Sequence, residues 1–322
     1  MSSSPTAVRR STPPTAPGGT PAGTGPDDRV AARRRRRRRE ALVGFAFALP
    51  MVGLFAVFRL APVVQSAFLS LTDYHPLGTW RFVGGDNYVR LLGDDTFWRA
   101  LRVTLTYALL VAPLTVAVSL ATALLLHRVV FARGFFRGVL FLPYVTSTVF
   151  AAVIWRWIYD VEDGLVNGLL DRLGASPVPF LNDTALVLPS IAVMSAWKGF
   201  GYSMLILLAG LQAIPAEYTE AARLDGASGW RLFTRITLPL LRPVLLFVVV
   251  IETIGALQVF DAMYVMTGGG PVQASYSVVF QLYDEGFKFN DFGYASAIGM
   301  VLFAVILVIS LVQRRLLGRE EG

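Results

Sequence analysis

Long apolar runs separated by short polar stretches dominate the chain from residue 41 onward. A helix needs about 20 apolar residues to cross roughly 30 Å of hydrocarbon. Four runs approach or meet that length without a charge: 41–58 (ALVGFAFALPMVGLFAVF), 103–126 (VTLTYALLVAPLTVAVSLATALLL), 138–155 (GVLFLPYVTSTVFAAVIW) and 292–313 (FGYASAIGMVLFAVILVISLVQ). Two more carry an interior charge. One covers 188–211 and contains Lys198; the other covers 242–262, contains Glu252 and ends near Asp261. None alternates apolar and polar positions as a barrel strand would. The bilayer interior offers backbone groups no water, so these runs are expected to be helices. The pattern predicts an all-α polytopic membrane protein with six transmembrane helices. Pro50, Pro113 and Pro143 lie inside the runs, where neighbouring helices can satisfy the freed carbonyls; no role is assigned to them.

Charge sets the orientation. With the N-terminus inside, the tail 1–40, the loops 128–137 and 212–242 and the C-terminal tail hold 20 of the 29 basic residues. The opposite loops (72–102, 159–187 and 263–291) then hold six basic and 12 acidic residues. Lys and Arg favour the cytoplasmic side, so both termini are expected there, in a multi-pass protein of the bacterial cytoplasmic membrane. Residues 1–28 are rich in Ser, Thr, Pro, Gly and Ala and cannot bury enough apolar surface to offset their ordering entropy. Seven consecutive arginines follow, Arg33 to Arg39. They read as an anchor to anionic headgroups beside the first span rather than a nucleic-acid patch, so no nucleic-acid partner is expected. The tail is too long, and its arginine run too dense, for an ordinary signal peptide. The expected division is a disordered basic tail, 1–39, and a six-helix transmembrane domain, 40–322.

Composition removes several chemistries. Apolar residues make up 54% of the chain and charged ones 16%, against roughly 25% charged in soluble domains. No cysteine is present, which excludes disulfides and thiolate sites. His75 and His127 are the two histidines, too few for a multi-histidine metal site. A phosphate-binding loop needs a lysine after a glycine, and neither Lys198 nor Lys288 follows one. No nucleophile–base pair stands out. Catalytic residues, metals and cofactors bound by this chain are therefore not expected.

The loop 214–243, IPAEYTEAARLDGASGWRLFTRITLPLLRP, is the most informative stretch. Pro215 suits a helix start. Residues 216–224 are good helix formers, with Glu217 and Glu220 placed to favour the helix dipole. Gly226 suits a left-handed stop. Trp230 to Ile236 suits a second short helix, with Pro239 and Pro243 leading into the fifth span. The result is a stiff elbow with a small-residue face (Ala221, Ala222) and a charged face (Glu217, Glu220, Arg223). On shape alone it serves equally well as a partner-docking knuckle or as an amphipathic helix lying on the membrane.

Glu220-Ala221-Ala222, three residues, Gly226, nine residues, Ile236, one residue, Leu238-Pro239: this spacing resembles the EAA loop of ABC importer permeases. FVGGDNYVRLL (82–92), FFRGVLFLPYV (135–145), AWKGFGYSMLILLAGLQAIP (196–215), FDAMYVMTGGGP (260–271) and FGYASAIGMVL (292–302) resemble the carbohydrate-uptake branch, with its maltose-, multiple-sugar- and glycerol-3-phosphate-type permeases. The resemblance implies a type I importer permease fold and a solute path for a sugar or sugar-like compound, worked by alternating access. It implies that Glu217, Glu220, Ala221, Ala222, Asp225 and Gly226 couple to a separate ATPase dimer, which uses the ATP and Mg. It further implies a second permease subunit in a heterodimer and an external solute-binding protein. An ion-coupled carrier would instead show paired broken helices and internal repeats, which the sequence does not display. Amino-acid or peptide permeases are the nearer rival.

Ionisable groups deep in a membrane are costly and default to functional roles. Lys198 and Glu252 both fall near mid-span, and the expectation is that they face the bundle interior as neighbours. Sugars present hydroxyls and apolar C–H faces, so aromatic and amide or carboxylate groups suit them. Tyr144, Trp197, Lys198, Glu252, Gln258 and Asp261 are the candidate path residues, with Trp155 and Tyr202 as further aromatics. Taken singly, each also fits an interfacial aromatic or an interhelical polar contact. Arg59 and Arg156 lie near span ends, where they snorkel.

Overall fold

The computed structural model describes residues 26–317, apart from residues 77, 79 and 129–131. Contacts divide it into two units, residues 1–62 and 63–322, each described by itself. Of the tail expected to be disordered, 1–39, residues 1–25 lie outside the described residues.

In the first unit a helix starts at Pro26, not after residue 39, and runs through Arg33–Arg39 to Phe55. Local chemistry accounts for the early start. Proline suits a first helical position, Asp27 and Asp28 sit at the positive end of the dipole, and arginine is a good helix former. A π-helical turn at Ala56–Leu60 follows. The apolar side chains along this helix, among them Leu42, Phe45, Phe47 and Met51, are exposed, as lipid-facing groups would be.

Among the described residues, five helices and one broken pair are long and apolar enough to cross a bilayer. The first span is Arg39–Leu69, the second Asp95–Arg128, the fourth Val187–Ala213, the fifth Gly229–Leu257 and the sixth Phe292–Leu317. The third is the broken pair. Its halves, Arg133–Val145 and Thr148–Ile158, meet at 91°, where the apolar run 138–155 had suggested one straight helix. Thr146 and Ser147 are extended at the break. Hydroxyl-bearing and β-branched residues cluster there (Val145-Thr146-Ser147-Thr148), and such residues lose χ1 freedom in a helix or compete for its hydrogen bonds. Hydropathy does not register that conflict.

The fifth span also departs from expectation. It begins at Gly229 rather than 242, absorbing the short helix expected at 230–236, and ends at Leu257 rather than 262. A π-helical turn at Phe233–Thr237 precedes Pro239. Wider turns of this kind accommodate prolines that lack a donor for the regular ladder. After Leu257 the chain leaves the helix at Gln258 and turns again at Asp261–Thr267.

In the second unit the fourth span is central and packs most extensively against the second. Lipid is as apolar as leucine, so small residues and interhelical hydrogen bonds must hold membrane helices together. Ala108, Ala112, Thr115, Ser119 and Ala123 on the second span are buried, as are Ala192, Ala196, Gly201 and Ser203 on the fourth. Ser119 Oγ donates to the Phe200 carbonyl at 2.9 Å, and Tyr107 donates to Ser195 Oγ at 2.7 Å. Larger residues fill one end, with Leu126, Met204, Leu207, Leu211, Leu241 and Val248 in one cluster. At the other end Tyr107, Ile191, Met194, Leu257 and Met263 form a second.

At that other end, strands Thr72–Asp73 and Arg81–Phe82 pair antiparallel, Thr72 opposite Phe82. Asn87 Nδ2 donates to the carbonyls of Ser70 and Thr72. Asp94, just before the second span, accepts from Tyr294 Oη at 2.6 Å and Gln281 Nε2 at 2.8 Å. Burial pushes its carboxyl up, but the bonds from Tyr294, the Thr96 and Phe97 amides and Gln281 outweigh that and hold it below the usual carboxylate range. Arg90 completes the clamp with Asp291 at 2.6 Å and Glu285 at 3.6 Å.

Where one membrane span meets another, the tightest glycine approach lies between the third and fourth spans. A Cβ at Gly201 would sit 2.3 Å from the Leu140 carbonyl oxygen, whereas one at Gly138 would meet nothing within 4 Å. Gly201→Val should therefore lower the unfolding free energy by about 1–3 kcal/mol. Gly138→Val should stay within about 1 kcal/mol of the parent, the usual glycine-to-side-chain range on an open helix face. Thermal unfolding of both purified variants in detergent checks this, and equal midpoints would contradict the packing.

Candidate functional site

Two features combine chemistry with position: a polar cleft between the spans and the elbow at one end of the bundle. The cleft has a volume of about 310 Å³. It is lined by Tyr144, Lys198, Glu252, Gln258 and Asp261, together with Tyr107, Thr115, Thr148 and Ser195. Five of the six candidate path residues thus converge from the third, fourth and fifth spans and the turn after the fifth.

The expected Lys198–Glu252 pair does not form. Among the described residues no ion pair within 4.0 Å joins them. Lys198 Nζ donates instead to the Tyr144 carbonyl at 3.3 Å and lies 5.5 Å from the Tyr144 ring centroid. The broken third span explains the choice. A helix end leaves its last carbonyls without intrahelical donors, and a cation there meets both the orphan oxygens and the negative end of the dipole. Lys198 thus caps the half-helix that ends at Val145. The Tyr144 ring also stacks on Tyr202, centroids 4.8 Å apart. Glu252 has its own partner, the Ser203 hydroxyl, which donates to Oε1. Gly199 leaves room between them: a Cβ there would lie 3.9 Å from Glu252 Oε2 and 3.6 Å from Thr115.

Trp197 is not among the cleft residues. One position along a helix turns about 100°, so Lys198 facing the cleft carries Trp197 off to the side. There it packs on Trp155 at 5.5 Å, which continues to Tyr159 and Phe180. Sequence reasoning passed over Tyr107, Thr115, Thr148 and Ser195. The available signal was hydroxyl groups within otherwise apolar spans.

The elbow is a helix over Ala216–Leu224 that ends in a specific way. The Ala227 amide donates to the Ala222 carbonyl at 2.9 Å and the Gly226 amide to Arg223 at 3.0 Å, with Gly226 at φ +81°. This nested pair is the Schellman arrangement, which demands a left-handed residue at Gly226. Glu217, Glu220, Ala221, Asp225 and Gly226 are exposed. Ala222 is buried at 8% exposure, so it packs inward and does not share a presented face with Ala221. Neighbouring positions on a helix cannot face the same way. Tyr218 and Leu224 add exposed apolar surface, Leu224 at 90%.

Residues 114–320 match the family described as binding-protein-dependent transport system inner membrane component. That match takes in most of the cleft, the elbow and the last four membrane spans. The chain belongs to this family. It is a multi-pass inner-membrane protein and a permease subunit of an ABC importer. The permease is 37% identical to the trehalose/maltose transport system permease protein MalF of Thermococcus litoralis over 85% of its own length and 92% of the relative's. It is 37% identical to the arabinooligosaccharides transport system permease protein AraP of Bacillus subtilis, covering 86% and 89%. Identity to the lactose transport system permease protein LacF of Rhizobium radiobacter is 34%, covering 84% and 92%. The permease also superposes on a chain of a crystal structure of a bacterial ABC transporter involved in the import of the acidic polysaccharide alginate. That match has a TM-score of 0.77 and 25% identity, and covers 90% of the permease and 100% of the other chain.

Hydrogen bonds to charged groups contribute about 1.5–3 kcal/mol. Ser203→Ala and Glu252→Ala should therefore couple by at least about 1 kcal/mol in a double-mutant cycle read by thermal unfolding. Lys198→Ala and Ser203→Ala should add within about 0.5 kcal/mol. Strong coupling in the second cycle would restore a direct link between Lys198 and the Glu252 site.

Proposed function

We propose that this permease carries a sugar or sugar-like solute across the cytoplasmic membrane by alternating access, driven through its elbow by a separate ATPase. The observation that carries the proposal is the elbow's construction. A nine-residue helix, locked at its end by Gly226 and presenting Glu217, Glu220 and Asp225, transmits a push without bending. Glu217, Glu220, Ala221, Asp225 and Gly226 are the surface assigned to the ATPase. Ala222 supports them from inside. ATP and Mg are used by that partner and not by this chain.

The solute class rests on the relatives, whose names specify trehalose/maltose, arabinooligosaccharides and lactose, and on the cleft. The Tyr144 ring, beside amide, carboxylate and hydroxyl groups in the same lining, offers a sugar an aromatic surface as well as hydrogen bonds. Tyr144, Lys198, Glu252, Gln258 and Asp261 form the proposed path; Trp197 stands beside it. A solute-binding protein delivers from the face opposite the elbow; one of the alginate transporter structures is a complex with an alginate pentasaccharide-bound periplasmic protein. A second permease subunit, in a heterodimer, closes the other side of the path. The segments expected inside hold 20 of the 29 basic residues, which supports a cytoplasmic location for both termini and the elbow.

The coupling assignment is tested by uptake in membranes carrying the whole transporter. Gly226→Val forces a branched side chain into a left-handed position at a local cost of about 1–2 kcal/mol. It should abolish uptake while the chain remains in the membrane, and Gly226→Asn should keep a substantial part. Glu220→Lys should also abolish uptake, and a cysteine at position 220 should crosslink to the ATPase. Wild-type uptake from both Gly226→Val and Glu220→Lys removes the assignment.

A further inference from the structure

Between the elbow and the ends of the second and fourth spans lies a cavity of about 620 Å³ that the coupling assignment leaves unused. Its floor is apolar: Leu124, Leu211, Ile214, Leu232 and Phe233. Its rim is basic, formed by Arg128 and His127 from the last turn of the second span and Arg223 from the elbow. No carboxylate lines it among the described residues; Glu217, Glu220 and Asp225 are exposed and outside the lining. Neither Arg128 nor Arg223 forms an ion pair within 4.0 Å among the described residues. The rim sits where the second and fourth spans end. Trp230, 76% exposed and with its ring centroid 5.3 Å from that of Phe233, also lines the cavity, as tryptophans do at membrane–water boundaries.

We propose that this cavity holds an anionic phospholipid from the leaflet on the elbow side. Its phosphate would lie between Arg128 and Arg223, and an acyl chain would lie against Leu124, Leu211 and Phe233. The combination selects the occupant. Two guanidiniums with no ion pair among the described residues match a phosphate, which accepts planar paired donors. The apolar floor matches hydrocarbon and gives no benefit to a free ion. Basic cavities between membrane helices on the cytoplasmic side bind acidic lipid headgroups by this chemistry. Because Arg223 belongs to the elbow and Arg128 to a membrane span, one headgroup would tie the elbow to the bundle.

The test uses the full chain purified in a neutral detergent and titrated with phosphatidylglycerol, phosphatidylcholine or inorganic phosphate, bound lipid being counted by native mass spectrometry. One phosphatidylglycerol should be retained in preference to phosphatidylcholine. The preference should fall roughly fivefold in Arg128→Gln or Arg223→Gln and about 25-fold in the double variant, from about 1 kcal/mol per basic side chain near a headgroup. Arg235→Gln, on the same loop but outside the cavity, should leave it unchanged. Unfolding midpoints measured without lipid identify variants that fail to fold, and for those Arg128→Lys and Arg223→Lys, which keep the charge and lose the paired geometry, replace the glutamine pair and should show a smaller drop. Equal retention of both lipids overturns the proposal, as does phosphate binding that displaces the lipid at equal concentration. Displacement by an acidic peptide copying residues 318–322 also overturns it, because the occupant would then be protein. None of these outcomes touches the transport reading, which is scored by uptake.

Discussion

Backbone groups inside hydrocarbon have only the protein to satisfy them, and the break in the third span is where that constraint is most demanding. Two half-helices meeting at 91° expose carbonyls at the end of one and amides at the start of the other, at membrane depth. The cost is met locally. Lys198 donates to Tyr144, the Thr146 hydroxyl returns to Leu142, and the Thr146 amide donates to Pro143. Tyr144 and Thr148, on either side of the break, line the cleft, and a lysine meets one of the carbonyls the break frees. A charge that looks like a functional group in an apolar run is first of all a backbone cap, and its presence in the cleft follows from that duty.

The same economy of backbone groups governs the elbow. Its helix is short and exposed, the setting in which helices fray. The nested bonds from Gly226 and Ala227 close its end, and Ala222 buried beneath anchors its middle. Stiffness therefore comes from a turn geometry and one methyl group, and the outward residues remain free for recognition. The far end of the bundle is fastened differently, through charge. Arg90, Asp94, Glu285 and Asp291 link the start of the second span to the turn before the sixth.

Much of this was readable from residues alone. Apolar length gives the existence of all six spans, because lipid thickness fixes it. The elbow helix over 216–224 and its stop at Gly226 follow from propensities and a residue that accepts positive φ. Other features were hidden for definite reasons. Hydropathy averages over a window, so it joins 138–155 into one helix and misses the two extended residues at Thr146 and Ser147. It also misplaces both ends of the fifth span, where a π-helical turn carries helix through Pro239. The pairing of Lys198 with Glu252 seemed natural from depth alone. The competing acceptor was a main-chain carbonyl, which no side-chain pattern reveals. Trp197 and Ala222 were grouped with their neighbours by adjacency, although one residue is 100° of helix rotation.

The glycine at 201 carries one further implication. An approach that leaves no space for a methyl group between the fourth span and the Leu140 carbonyl behaves as a weld between two helices. Sliding one past the other would drive backbone into backbone. The leading half of the third span and the whole fourth span must travel as a single piece. Any swing of the trailing half, Thr148–Ile158, then pivots at Thr146–Ser147, between the cleft residues Tyr144 and Thr148.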